Sequence, residues 1–169
     1  MPSQTFQPVG VHGGRIVEDF AHDAIHAEKV WRTEDYVVLG AGSALSMLIT
    51  TPASTNIHLV AAITTNGPGL GYIYEGPTAS AGTSLTAINA CRSHTNTTEC
   101  TIVRNPTVAT IGTVLHNFIL GAEGFKSLQG GDSTDQLWNL AVSTKYLLRF
   151  TSDAATCRTI LKMYWEEGD

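Results

Sequence analysis

Charge is the scarcest ingredient of this 169-residue chain, with only 15% of its residues charged, against roughly 25% in ordinary soluble domains. The net charge is −5, and no basic stripe of the kind that neutralises phosphates occurs, so a nucleic-acid partner is not expected. No apolar run approaches the roughly 18 residues that a membrane span requires, so no membrane partner is expected either. Cysteine is sparse and odd in number: Cys91, Cys100 and Cys157 leave at least one thiol unpaired. The opening MPSQTFQPVGVHGG lacks a basic region followed by an apolar core. The expectation is therefore a chain made in a reducing cytosol, where thiols stay free. Also missing are G-x-S-x-G, H-E-x-x-H and G-x-x-x-x-G-K-[ST], the signatures of several common catalytic sites.

What is present points to β-structure. Apolar residues make up 43% of the chain, which argues against disorder. Serine and threonine supply about a fifth of it, threonine being much the commoner. Threonine is β-branched and suits a pleated, half-exposed surface. A length of 169 residues favours one domain with a core large enough to fold without staples.

The chain divides into an N-terminal arm, residues 1–27, and a β-sandwich domain, residues 28–169. The arm mixes glycines, charges of both signs and histidines with little alternation, and a short helical turn is expected within residues 19–26. From Lys29 onward, period-two runs alternate with turn residues. Ile57, Leu59, Ala61 and Ile63 alternate up to Asn66-Gly67-Pro68-Gly69, and a returning strand carries Tyr72 and Tyr74. Asn-Gly and Pro-Gly supply the backbone angles of a tight reversal, so this stretch reads as a hairpin. Residues 84–108 read as two strands joined by the polar tip Ser93–Thr98. Val114, His116, Phe118 and Leu120 fall on one face of a further strand.

The end of the chain reads as a last hairpin with its turn at Ser152-Asp153. Tyr146, Leu148 and Phe150 share a face of its first strand, and Cys157, Thr159, Leu161, Met163 and Trp165 share a face of its second. Turn signals recur at about 8–12-residue intervals, the spacing of an all-β sandwich. The expected fold class is an antiparallel two-sheet sandwich of jelly-roll type with an extended arm.

The densest cluster of reactive side chains is SLTAINACRSHTNTTECTIVRNPTV, residues 84–108. Cys91, His94 and Cys100 do not follow the paired spacing of a structural zinc site. The bland reading is two small buried hydrophobes, with a Cys91–Cys100 disulfide left open. A Cys91–His94 nucleophile pair lacks any supporting motif for thiolate activation. Asn96-Thr97-Thr98 matches the glycosylation pattern but equally suits an ordinary polar turn. His22 and His26 have a metal-binding helical spacing, within a stretch that is otherwise generically charged. No catalytic residue, metal ligand or cofactor is assigned.

The order of tracts from the middle to the end of the chain resembles virion structural proteins of tailed bacteriophages, closest to small capsid decoration (cement) proteins. The tracts are Glu75-Gly76-Pro77-Thr78, Gly82-Thr83-x-Leu85-Thr86, Asn89-Ala90-Cys91-Arg92, Asn105-Pro106-Thr107-Val108, and a terminal Lys145–Arg149 followed by Tyr164-Trp165-Glu166-Glu167. The likeness covers about residues 28–167, and its cysteines are a local variation. It implies a non-enzymatic protein made in the host cytoplasm. It further implies residence on the outer surface of the virion capsid, as a homotrimer contacting major capsid protein. Phe6, Val11, Ile16, Val17, Phe20 and Ile25 are the candidate intersubunit or capsid contacts. They are apolar residues in a segment too irregular to build its own core, and packing back onto the same subunit is the alternative.

Two other classes compete. A carbohydrate- or receptor-binding module of a head fibre or tail would use Trp31, Tyr72, Tyr74 and Trp138 to stack on a glycan. A cupin-like enzyme would need His58 and His116 to converge on one site.

Overall fold

The structure, a computed structural model, describes residues 24–121, 128–130 and 137–168. Among these residues the strands, in chain order, are β1 (Val30–Leu39), β2 (Ala44–Thr50), β3 (Ile57–Thr65), β4 (Gly69–Glu75), β5 (Thr78–Ser80), β6 (Thr83–Ser84) and β7 (Ile88–Asn89). They continue with β8 (Thr101–Arg104), β9 (Thr107–Thr110), β10 (Thr113–Leu120), β11 (Leu128–Gly130), β12 (Trp138–Leu140), β13 (Lys145–Ser152) and β14 (Cys157–Glu167). The fold is an all-β antiparallel sandwich, as the composition predicts. A helical turn at residues 24–26 precedes β1, inside the window where the sequence places one.

The first sheet runs β11-β3-β14-β1-β7, with β12 also pairing β3. The second runs β10-β4-β13-β2-β8-β6, and β5 and β9 form a separate two-stranded ribbon. Period-two burial explains the packing. In β3 the residues alternate between buried and half-buried along its whole length. In β14 the inward row is Cys157, Thr159, Leu161, Met163, Trp165 and Glu167. These rows meet Leu45, Met47, Ile49, Tyr146, Leu148 and Phe150 of the facing sheet in one core.

Sheet two is covered on both sides, which accounts for the unbroken apolar run of β2. Leu48 and Leu147 point away from the main core and pack with Tyr74, Ala79 and Val108 beneath the β5–β9 ribbon. A strand buried on both faces loses the alternation that a half-exposed strand shows.

The structure corrects both expected hairpins. β3 and β4 lie in different sheets, as do β13 and β14. The Asn66–Gly69 and Ser152-Asp153 reversals therefore carry the chain across the core, from one sheet to the other. Turn chemistry dictates reversal, but a returning strand can pair with its predecessor or face it. Here the apolar rows of consecutive strands bury each other across the sandwich. The 84–108 segment also differs from the expected pair of strands. β6 and β8 pair with each other in sheet two, whereas β7 between them pairs with β1 in sheet one. A register shift between Val114 and His116 breaks the predicted face of β10 and leaves Val114 exposed.

Candidate functional site

The 84–108 segment wraps the edge of the sandwich at the β1 and β2 side, and its tip is tied down by two carboxylates from outside it. Glu28 follows the helical turn, where the Glu28 amide bonds Ile25 O and the Lys29 amide bonds Ala24 O, both at 3.0 Å. The turn closes through a left-handed residue, φ 61° at Glu28, a conformation that normally favours glycine. That geometry aims the carboxylate at the tip. Its Oε2 accepts the Thr95 amide at 3.0 Å, the Thr95 hydroxyl at 3.4 Å and the Asn96 amide at 3.4 Å. The Thr95 amide is the main cause holding the Glu28 carboxyl below its ordinary range. The Glu28 carbonyl in turn accepts the side-chain amide of fully buried Asn89 at 2.8 Å. Asn89 Oδ1 accepts the Cys91 amide at 2.8 Å.

Glu167 closes the other side. It is the last residue of the inward row of β14 and is buried. Its carboxylate accepts the Trp165 indole N–H at 2.9 Å, the Glu99 amide at 3.1 and 3.2 Å, and the Thr98 hydroxyl. These donors satisfy carboxylate oxygens that burial takes out of water. Between the two anchors, the His94 ring stands edge-on to Trp31, with centroids 5.7 Å apart. A cleft of about 650 Å³ lies beneath the tip, bordered by Glu28, Lys29, Trp31, Thr95, Glu99 and Glu167.

The chemistry suggested by the motif is not assembled there. Cys91 Sγ meets Ser93 Oγ at 3.5 Å, while His94 turns to Trp31. All three cysteines are free, with Cys91 half-buried and Cys100 and Cys157 buried. Burial, followed by the nearby Glu167 charge, pushes the Cys100 thiol well above its usual range, the opposite of nucleophilic activation. Cys157 packs against the Thr65 hydroxyl at 2.7 Å. Among the described residues no group of three or more histidine, cysteine or acidic side chains is placed to hold a metal. Asn96, the centre of the glycosylation match, is exposed at the tip.

The other sequence candidates fall as follows. Ile25 is half-buried in the helical turn, whereas Phe6, Val11, Ile16, Val17 and Phe20 lie outside the described residues, as does His22. His58 lies on the outward face of sheet one, 3.8 Å from Glu166, and the core separates it from sheet two, which carries His116, so they do not converge. Trp31 and Tyr74 are buried, and Tyr72 stacks on Tyr74 with centroids 5.5 Å apart. Trp138 is half-buried at the β12–β3 pairing. The aromatics named for sugar stacking are thus core or partly covered groups, because each falls on a strand face that another element packs against. Sequence reasoning missed Glu28, Asn89 and Glu167. Only Glu167 had a signal, since extending the period-two row of β14 by one step places it inward.

A second cross-link lies along the same edge. The Arg104 guanidinium Nε, on β8 of sheet two, sits 3.0 Å from the Asp35 carboxylate on β1 of sheet one. It ties the two sheets together where β7 has ended and where, among the described residues, no further strand pairs with that edge of β1. Comparison with known proteins yields no match to any family model, curated protein or solved structure.

Proposed function

We propose that this chain is a non-enzymatic virion structural protein that binds the outer surface of a tailed-phage capsid and stabilises it, acting as a homotrimer. The observation that carries the reading is how the polar groups of residues 84–108 are used. Thr95, Asn96, Thr98 and Glu99 are held by Glu28 and Glu167, presenting a fixed polar tip on a rigid sandwich. A tip ordered before contact loses little entropy on docking, which favours a binding surface over a reaction centre.

The strand order supports reading the sandwich as a jelly roll. β1, β14, β3 and β12 form one four-strand order, β2, β13, β4 and β10 the other, and β1 to β4 alternate between sheets. Residues 76–112 are then an insertion before β10 that supplies β5 to β9. The tracts of the phage resemblance between Glu75 and Val108 fall largely in this insertion. Jelly rolls serve as capsid domains, although the fold by itself carries no function.

Stabilisation follows from linkage: a protein that binds only the assembled shell favours that state by mass action. Three linked copies would turn weak single contacts into strong avidity. The test is addition of purified protein to empty expanded shells lacking it, followed by sedimentation. Saturable binding with fixed stoichiometry is expected, and absence of binding overturns the reading.

A further inference from the structure

The outer face of sheet one differs from that of sheet two: no described ribbon covers it. Tyr36, Val38, Tyr164 and Ile88 all lie on it, 55%, 52%, 42% and 39% exposed respectively. Strand pairing arranges this face in rows. One row is Ile88–Arg32–Tyr164–Val60, the next Glu34–Lys162–Ala62, the next Tyr36–Ile160–Thr64, and β1 and β14 continue it with Val38–Arg158. A pocket of about 120 Å³ opens between Arg32, Glu34, Ile88 and Tyr164. Tyrosine and arginine are the residue types that anchor protein interfaces.

From this arrangement we infer that the face binds a second copy of the same chain, stacked sheet on sheet about a two-fold axis parallel to the strands. The axis runs midway between β1 and β14. The order β3-β14-β1-β7 is symmetric about that line, so β1 faces the partner's β14 and β3 faces the partner's β7. Each row then meets the same row reversed. Glu34 opposes the Lys162 of the partner subunit, Arg32 opposes the partner's Tyr164, Tyr36 opposes the partner's Ile160, and Val60 opposes the partner's Ile88. Acid meets base, guanidinium meets aromatic ring, and apolar meets apolar. Among the described residues, neither Glu34 nor Lys162 takes part in an ion pair within the subunit. A two-fold contact is self-complementary by construction, and these rows satisfy that requirement.

Size sets the strength. Strands of 10, 11 and 9 residues form the body of the face. At ~3.4 Å per residue and ~4.8 Å between strands, it measures about 30 by 15 Å. About this axis β3 meets only the two-residue β7 of the partner. The overlap is therefore about 30 by 10 Å, and two copies would remove roughly 600–800 Å² from water, below the size of standard interfaces, so only a weak dimer is expected. The contact stands independently of the capsid reading, whose proposed trimer would use another surface.

Charge exchange tests it. Sedimentation equilibrium of the full chain from about 1 µM to about 1 mM should show a doubling of mass, monomer to dimer or the proposed trimer to hexamer, with its midpoint in the upper part of that range. Glu34→Lys or Lys162→Glu alone places like charges opposite each other and should weaken dimerisation at least tenfold. Mixing the two single variants should restore it as a heterodimer, because both contacts become oppositely charged. Repair of charge within one subunit cannot produce that rescue. Circular dichroism and thermal melting of each variant confirm that the fold is retained. A wild-type monomer throughout the range overturns the inference. So does a doubling of mass that both single variants leave intact, or a trimer that never doubles.

Discussion

Trp165 donates its indole N–H to Glu167 at 2.9 Å, joining the last large side chain of the core to the carboxylate that holds the tip loop. Core packing and tip geometry are therefore coupled through two residues of one strand. Glu167→Gln removes the charge while keeping the shape, and one amide oxygen cannot serve all these donors. A loss of about 1–3 kcal/mol is expected for a buried charged acceptor with several donors. Chemical denaturation measures the loss, and faster hydrogen exchange at Glu99 locates it.

Glu28 makes the tip sensitive to acid. Its folded-state pKa lies below the ordinary carboxylate value. The stabilisation it contributes is thus complete above the unfolded value and is lost as pH falls through the folded one. Protection of the Thr95 and Asn96 amides, taken relative to their intrinsic exchange rates, should be highest at neutral pH and fall in acid below the normal glutamate range. Glu28→Gln should remove much of that pH dependence. Glu28→Gly should relieve the left-handed strain yet still lose the tip contacts.

Arg104 and Asp35 couple the two sheets at 3.0 Å. Asp35 is nearly buried while Arg104 is about a third exposed, so solvent screening moderates the pair. A double-mutant cycle with Asp35→Asn and Arg104→Met should give a coupling of about 1–2 kcal/mol. A coupling near zero would show that the sheets are held by the core alone.

Much of this architecture was legible from spacing. The inward rows of β3, β13 and β14 follow the period of two, and nearly every apolar residue assigned to them is buried. The connections were not legible, because Asn66-Gly67 and Ser152-Asp153 mark reversals without saying which sheet receives the next strand. The bulge near Val114 was hidden as well, since one extra residue shifts the pattern locally without altering composition. At the tip, the cysteines and histidine drew attention, yet the residues that organise it are Glu28, Asn89 and Glu167. Glu28 and Asn89 act through backbone contacts at separations of 61 to 68 residues, which no local pattern encodes.

Gly69 permits the close approach of β4 and β13. A Cβ there would stand 2.3 Å from Thr151 O and 2.4 Å from Phe150 Cζ. Phe150 is fully buried and has little room to yield. Gly69→Ala should cost about 2–4 kcal/mol, by the mechanism of overpacking. A thermal melt checks it, and an unchanged midpoint would contradict the packing at this crossing.

Thermal disassembly of shells is the direct measure of the proposed capsid stabilisation. Particles assembled without this protein and the same particles saturated with it are heated in parallel, with genome or dye release as the readout. The account predicts a higher disassembly temperature for the saturated shells, returning to the baseline value when the protein is washed away. Identical disassembly curves despite full occupancy would contradict it.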